Sequence, residues 1–293
     1  MDTCISRFFL FGNEMKKKEK FAKYNNVNGK SLYEVIRISD GIPIFLMEHL
    51  ERLENSAKIM KYQISITRDE IIDGILKLIK ENEALNENLK LVINYIPREN
   101  TDDNTKVEEK FLAYFVPHSY PLKQQYEEGV KTITYHAERS NPNAKVINNS
   151  FREKVNEQIK NKGVYEAILV DDEGFITEGS KSNIFMVKGS TIITSKVINV
   201  LPGITRQFII KTCRKLNIEV KEEDILERDL KLLDGLFISG TSPNVLPINS
   251  VNELSFSSSQ NSTIKLIMKG FNVELNENKQ KFVKYIENDT INK

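Results

Sequence analysis

The sequence predicts a protein built from two α+β domains. Three observations carry that prediction. Strand-like and helix-like periodicities are mixed along the chain, as in α+β units. The pattern breaks once, at Pro117-His118-Ser119-Tyr120-Pro121, where two prolines in five residues favour an extended connector. The length of 293 residues suits one large or two modest domains. The expected division is a small α+β domain over 1–116, a linker over 117–121 and a larger domain over 122–293.

In the first domain, Leu32 to Ile38 is rich in β-branched and aromatic residues, as in a largely buried strand. Asp40-Gly41 supplies a hairpin turn into Ile42-Pro43-Ile44-Phe45. His49 to Met60 reads as a helix, with Leu50, Leu53, Ala57 and Met60 at helical spacing. Thr67-Arg68-Asp69-Glu70 forms a capping box, followed by Ile71, Ile72, Ile75 and Leu78 on one face of a second helix. Leu89 to Tyr95 and Glu109 to Val116 read as strands, and the polar stretch Arg98 to Glu108 as a mobile loop.

The second domain opens with a strand over Val130 to Tyr135 and a helix from about Ser150 to Asn161. Short strands follow at Glu166 to Val170, Phe175 to Thr177, Asn183 to Val187 and Thr191 to Thr194, separated by turn residues. A helix over Thr205 to Leu216 follows Pro202-Gly203. The segment after Asn249 is mostly polar, and Ser257 to Ser259 reads as loop.

Composition narrows the function. Hydrophobic residues make up 40 % and charged residues 28 %, and 42 basic against 41 acidic residues leave a net charge of +1. That balance gives no electrostatic argument for nucleic acid or an acidic membrane surface. The two cysteines, Cys4 and Cys213, make no disulfide framework and no metal spacing, so free thiols in a reducing cytoplasm are expected. The three histidines form no paired zinc motif, and no metal is expected. The apolar run Phe8 to Phe11 is too short for a signal segment, and no run reaches the ~20 apolar residues that span a bilayer. Gly29-Lys30-Ser31 is not a phosphate loop, because Tyr24 stands where its first glycine belongs.

The chemistry concentrates between Arg139 and Asn244. In order come Ala144-Lys145-Val146-Ile147-Asn148, Tyr165-Glu166-Ala167-Ile168-Leu169-Val170, Thr177-Glu178-Gly179-Ser180-Lys181-Ser182-Asn183, Leu201-Pro202-Gly203-Ile204-Thr205-Arg206 and Ser239-Gly240-Thr241-Ser242. Singly each is ordinary: a lone lysine is usually a solvated charge and a Glu-Gly pair usually a turn. Together, in this order, they resemble the fold-type IV pyridoxal-phosphate (PLP) enzymes. These are the class IV aminotransferases, with branched-chain and D-amino acid aminotransferases and aminodeoxychorismate lyases among them. The resemblance runs from about Tyr33 to Pro247.

The resemblance implies PLP in the cleft between a small N-terminal and a larger C-terminal domain, a homodimer, and transamination between an amino acid and a 2-oxo acid. Lys145 matches the lysine that carries the Schiff base and shuttles the α-proton. Glu178 matches the acid beside the pyridine nitrogen. Ile204 and Thr205, at a helix start, match the phosphate site, with Thr241 as a second contact. Arg52, in His49-Leu50-Glu51-Arg52-Leu53, resembles the phosphate-binding arginine, although alone it would read as a surface helix arginine; His49 reads as structural. Tyr33, Val35 and Arg37 share one face of a strand and match substrate-facing positions, with Arg37 suited to a carboxylate. Tyr33 and Val35 equally suit a core-facing side. Ser242 is a further substrate-site candidate.

Three departures from the family pattern touch substrate choice. Ser150 stands where branched-chain enzymes usually carry tyrosine. Asn100 replaces the histidine of the D-amino acid enzyme's carboxylate trap, with Arg98 as a match to its arginine. Asn25 to Ser31 lacks the usual glycine signals. The alternative reaction is that of the lyase, which shares the cofactor residues but releases pyruvate; Thr205 leans towards the transaminases.

Overall fold

The computed structural model describes residues 3–25, 29–97, 107–139 and 141–292. Arg98 and Asn100, and most of the expected loop around them, lie outside the described residues. The chain forms two compact units. The first contains Met1–Ser119, Ala144–Ile147 and Asn278–Lys293; the second contains Tyr120–Asn143 and Asn148–Glu277.

The first unit holds strands β1 (Phe8–Phe11), β2 (Glu14–Lys17), β3 (Lys30–Ser39), β4 (Ile42–Pro43), β5 (Asn88–Pro97) and β6 (Val107–Val116), in the sheet order β2-β1-β6-β5-β3-β4. A short helix α1 (Phe21–Tyr24) follows β2, and α2 (Leu46–Ile59) and α3 (Arg68–Asn82) lie between β4 and β5. The β3–β4 turn is the expected one: Asp40 and Gly41 both have positive φ, 54° and 76°, the backbone a tight hairpin of this hand requires. Both halves of the Thr67–Glu70 capping box form. The period of two along β3 sets two cores apart. Leu32, Ile36 and Ile38 join Leu50, Leu53, Ile72, Ile75 and Leu78 of α2 and α3 in one cluster. Tyr33 and Val35 join Phe9, Phe21, Val92, Leu112 and Tyr114 in the other.

The pairing of β1 with β2 has no counterpart in the sequence reading. Phe9 enters one core and Leu10 the other, and a short run buried on both faces has no periodicity to read.

The second unit holds α4 (Lys123–Glu128), β7 (Val130–His136), α5 (Asn149–Lys162), β8 (Glu166–Val170), β9 (Ile176–Gly179), β10 (Asn183–Lys188), β11 (Thr191–Thr194), α6 (Ile204–Lys215), β12 (Val220–Glu222), β13 (Gly235–Gly240), β14 (Asn244–Val251) and β15 (Leu254–Ser255). Its sheet runs β12-β11-β10-β13-β14-β7-β8-β9, with β15 paired to β14. The pairs β7–β8 and β11–β12 are parallel and bridged by α5 and α6; most other pairs are antiparallel.

The polar segment after Asn249 has no element assigned to it from sequence: β14 continues to Val251, a 3-10 turn covers Ser258–Gln260, and a long helix, α7, runs over Ser262–Asn292. Ile264, Ile267 and Phe271 recur at helical spacing and are buried to 1 % exposure or less. This thin apolar stripe on a polar helix lowers the average hydropathy while keeping the helical period. At Gly270 a Cβ would stand 2.5 Å from Thr212 Cγ2, so α6 and α7 cross where no side chain intervenes.

Candidate active site

Lys145 belongs to the first unit. β4 covers β3 only at Ile38 and Ser39, and the Ala144–Ile147 segment runs along the same edge further up. Leu32 and Val146 form an antiparallel bridge. Tyr33 N–H donates to the Lys145 carbonyl at 3.1 Å, and Ile147 N–H to the Ser31 carbonyl at 3.0 Å. The Lys145 N–H donates to Ser56 Oγ of α2 at 3.2 Å. Its backbone is thus fixed on both sides. The ammonium lies 4.7 Å from the centroid of the Tyr33 ring, and the buried Lys90 ammonium lies 5.1 Å from the same ring. Aromatic faces attract cations at such distances.

His49, Arg52 and Ser56 occupy one face of α2, at i, i+3 and i+7. Arg52 Nε donates to Glu34 Oε1 at 2.8 Å and Arg52 Nη2 to Glu34 Oε2 at 2.6 Å. His49 Nδ1 lies 2.7 Å from the same Oε2. Burial alone would raise the Glu34 pKa, but the Arg52 charge, the Arg52 hydrogen bonds and the His49 contact outweigh it and bring it to about 2. Burial lowers the His49 pKa against the pull of Glu34. Glu34 is therefore ionised, His49 is neutral at neutral pH, and the ring proton sits on Nδ1 as a donor.

Tyr33 and Val35 pack into the aromatic core of the first unit; Arg37, two residues on, is half-buried on the same face. A cavity of about 470 Å³ in this unit lies against α2 and the Tyr62–Ile71 segment, and none of the residues expected from sequence lines it.

The second unit gathers the others at one end of its sheet. Glu178 is buried in β9. Its Oε2 accepts from the Leu201 N–H at 3.2 Å and from Asn183 Nδ2 at 3.3 Å, and Arg139 Nε lies 3.3 Å from Oε1. Asn183 Nδ2 also donates to the Leu201 carbonyl at 2.9 Å, coupling Glu178 to the approach of α6. Gly203 is the N-cap of α6 and has no side-chain cap. A Cβ there would stand 2.0 Å from Asn183 Oδ1, so only glycine allows this contact. Ile204 and Thr205 are the first two residues of α6 and are buried. Thr241 and Ser242 form the β13–β14 turn, beside the start of β10: Asn183 pairs with Ser239, and a Cβ at Gly240 would lie 3.6 Å from the Lys181 carbonyl.

The turn after Glu178 is held from below by Glu166. Its carboxylate accepts from Ser180 Oγ at 2.5 Å, Ser182 Oγ at 3.2 Å and the Lys181 N–H at 3.3 Å.

Each unit carries side chains whose chemistry suits part of a phosphorylated, ring-nitrogen cofactor. In the first, Lys145 offers a primary amine; in the second, Glu178 offers a buried carboxylate and α6 an N-terminus whose backbone donors have no side-chain cap. Ser239, directly across from Asn183, has a buried hydroxyl with no hydrogen-bond partner among the described residues.

The arrangement of strands and helices is that of the fold-type IV enzymes. The profile of the amino-transferase class IV family matches residues 31–251. The chain belongs to that family, and it is an aminotransferase. The branched-chain-amino-acid aminotransferase of Escherichia coli K12 is 30 % identical over 271 residues, covering 86 % of this chain and 87 % of that one. A crystal structure of the Escherichia coli branched-chain enzyme superposes with a TM-score of 0.81 at 26 % identity, covering 92 % of this chain and 95 % of that one. The D-alanine aminotransferase of Bacillus licheniformis is 29 % identical over 228 residues, 76 % of this chain and 80 % of that one. The branched-chain aminotransferase of Thermobaculum terrenum, solved in its PLP form, shares the fold at a TM-score of 0.82 and 18 % identity, covering 94 % and 96 %.

Sequence reasoning passed over Glu34, Ser56, Arg139 and Asn183. For Glu34 a signal existed: a carboxylate inside an apolar strand needs a partner, and His49 and Arg52 stand one helical turn apart.

Proposed function

We propose that this enzyme is a PLP-dependent transaminase that moves the amino group of an aliphatic, branched-chain-type amino acid to a 2-oxo acid, with Lys145 as its catalytic residue. The observation that carries this is the seat of Lys145. Its backbone is locked to β3 and to Ser56, and its amine is set over the Tyr33 ring. When bound, PLP supplies an aldehyde that reacts with amines and a ring that withdraws electrons from the substrate α-carbon.

With the cofactor bound, Lys145 Nζ would accept the substrate α-proton and hold it for return later in the transfer. Glu178 would favour the protonated form of the ring nitrogen. Arg52, the Ile204 and Thr205 N–H groups and the Thr205 and Thr241 hydroxyls are the groups that would hold the phosphate. Tyr33 and Val35 form an apolar wall for the substrate side chain, and Arg37 and Ser242 take its carboxylate. The apolar packing around Tyr33 and Val35 and the likeness to the Escherichia coli enzyme support an aliphatic substrate. The reading includes a small domain over 1–116, a linker over 117–121, a larger domain over 122–293, a homodimer and a cytoplasmic location. No described helix is long and apolar enough to cross a membrane, and Cys4 and Cys213 are free and buried.

Absorbance spectroscopy of the PLP-loaded protein tests this. L-leucine converts the yellow band to the pyridoxamine band, and 2-oxoglutarate restores it. Conversion by D-alanine instead would reverse the substrate hand. Pyruvate release from aminodeoxychorismate without an oxo-acid acceptor would replace the transaminase with the lyase.

A further inference from the structure

Glu34 stands on the face of β3 that packs against α2 and α3, among Leu32, Ile36 and Ile38, and is fully buried. A carboxylate there is expensive to desolvate, and a hydrophobic residue of similar volume commonly serves stability as well or better. Stability alone therefore does not account for it. Its partners do: Nε and Nη2, two donors on one edge of the Arg52 guanidinium, bind its two oxygens, and His49 Nδ1 binds Oε2. A guanidinium is planar, and a bidentate carboxylate fixes both the plane and the edge it presents. Nη1 then points away from Glu34.

We propose that Glu34, braced by His49, is a positioning residue that sets the orientation of Arg52 towards the cofactor phosphate. The inference rests on the reading of Arg52 as a phosphate contact. The free flexibility of an arginine side chain is replaced by one orientation before the anion arrives, so that the binding energy is not spent on ordering the side chain.

Titration of the apoprotein with PLP, and separately with pyridoxal, which lacks the phosphate, tests the inference by equilibrium binding without any turnover. The variants are Glu34→Gln, Glu34→Asp and Arg52→Ala. In Glu34→Gln the preference for PLP over pyridoxal should fall about 10–100-fold, the range seen when outer partners of a binding group are removed, with pyridoxal affinity within about twofold of wild type. Glu34→Asp, which keeps the charge with a shorter reach, should fall between. An undiminished preference in Glu34→Gln, an equal loss for both ligands, or failure of both Glu34 variants to fold would overturn the inference. An undiminished preference in Arg52→Ala would instead remove Arg52 as the phosphate contact.

Discussion

Acid should destabilise the first unit through Glu34 and His49. The Glu34 pKa is about 2 in the folded chain against an ordinary 4.5. The folded value is the lower one, so the stabilisation is complete above about 4.5 and is withdrawn as the pH falls through about 2. At about 1.4 kcal/mol per pKa unit, the difference of about 2.5 units corresponds to about 3 kcal/mol. His49 acts in the same direction at higher pH. Its pKa is also lowered on folding, so the unfolded chain takes up that proton first and stability begins to fall below about pH 6.5. The chain has no tryptophan, so urea unfolding is best followed by far-ultraviolet circular dichroism at a series of pH values. Between pH 5 and pH 2 the wild type should lose about 3 kcal/mol more than Glu34→Gln, which cannot titrate at this position. Equal losses in the two proteins would show that the buried carboxylate is not the acid-sensitive group.

Lys145→Ala should cut turnover by at least about 10²–10⁴-fold while the protein still folds, because the bonds from Tyr33 N–H to the Lys145 carbonyl and from the Lys145 N–H to Ser56 Oγ do not involve the lysine side chain; normal turnover would remove it as the catalytic residue. Gly203→Ala should cost about 1–3 kcal/mol in urea unfolding, because its Cβ would press on Asn183 Oδ1; it should also weaken PLP binding by displacing the Asn183–Glu178 contact. Thr67→Ala should cost about 1 kcal/mol through loss of the α3 cap, measured by urea unfolding, with kcat/KM unchanged.

The sequence was most informative where a periodic or motif signal is local. Helix α3 announces itself by Thr67 and Glu70, β3 by its β-branched run, and the β3–β4 turn by Asp40-Gly41. Helix α7 was hidden because Ile264, Ile267 and Phe271 are separated by polar residues, and β1 because both its faces are buried. The site divides in the same way. Lys145, Glu178 and Gly203-Ile204-Thr205 of the proposed site are singled out by ordered motifs. Glu34 and Ser56 take their meaning from long-range contacts: Glu34 meets a helix residue 18 positions later, and Ser56 meets a backbone group 89 positions later. Neither pair lies within a single secondary-structure element.

The composition of the first unit also bears on how the chain matures during synthesis. Phe282 of α7 is part of the core that β3, α2 and α3 build. The Asn278 side chain accepts the Phe45 N–H at 2.8 Å, at the left-handed residue that starts α2. Domains generally fold as they emerge from the ribosome, N-terminal first, at roughly 5–20 residues per second. Here the N-terminal unit must wait for side chains translated more than 150 positions after its last sheet strand, β6. A fragment that ends before α7 lacks Phe282 and Asn278, so it should be less stable than the full chain and more prone to aggregate.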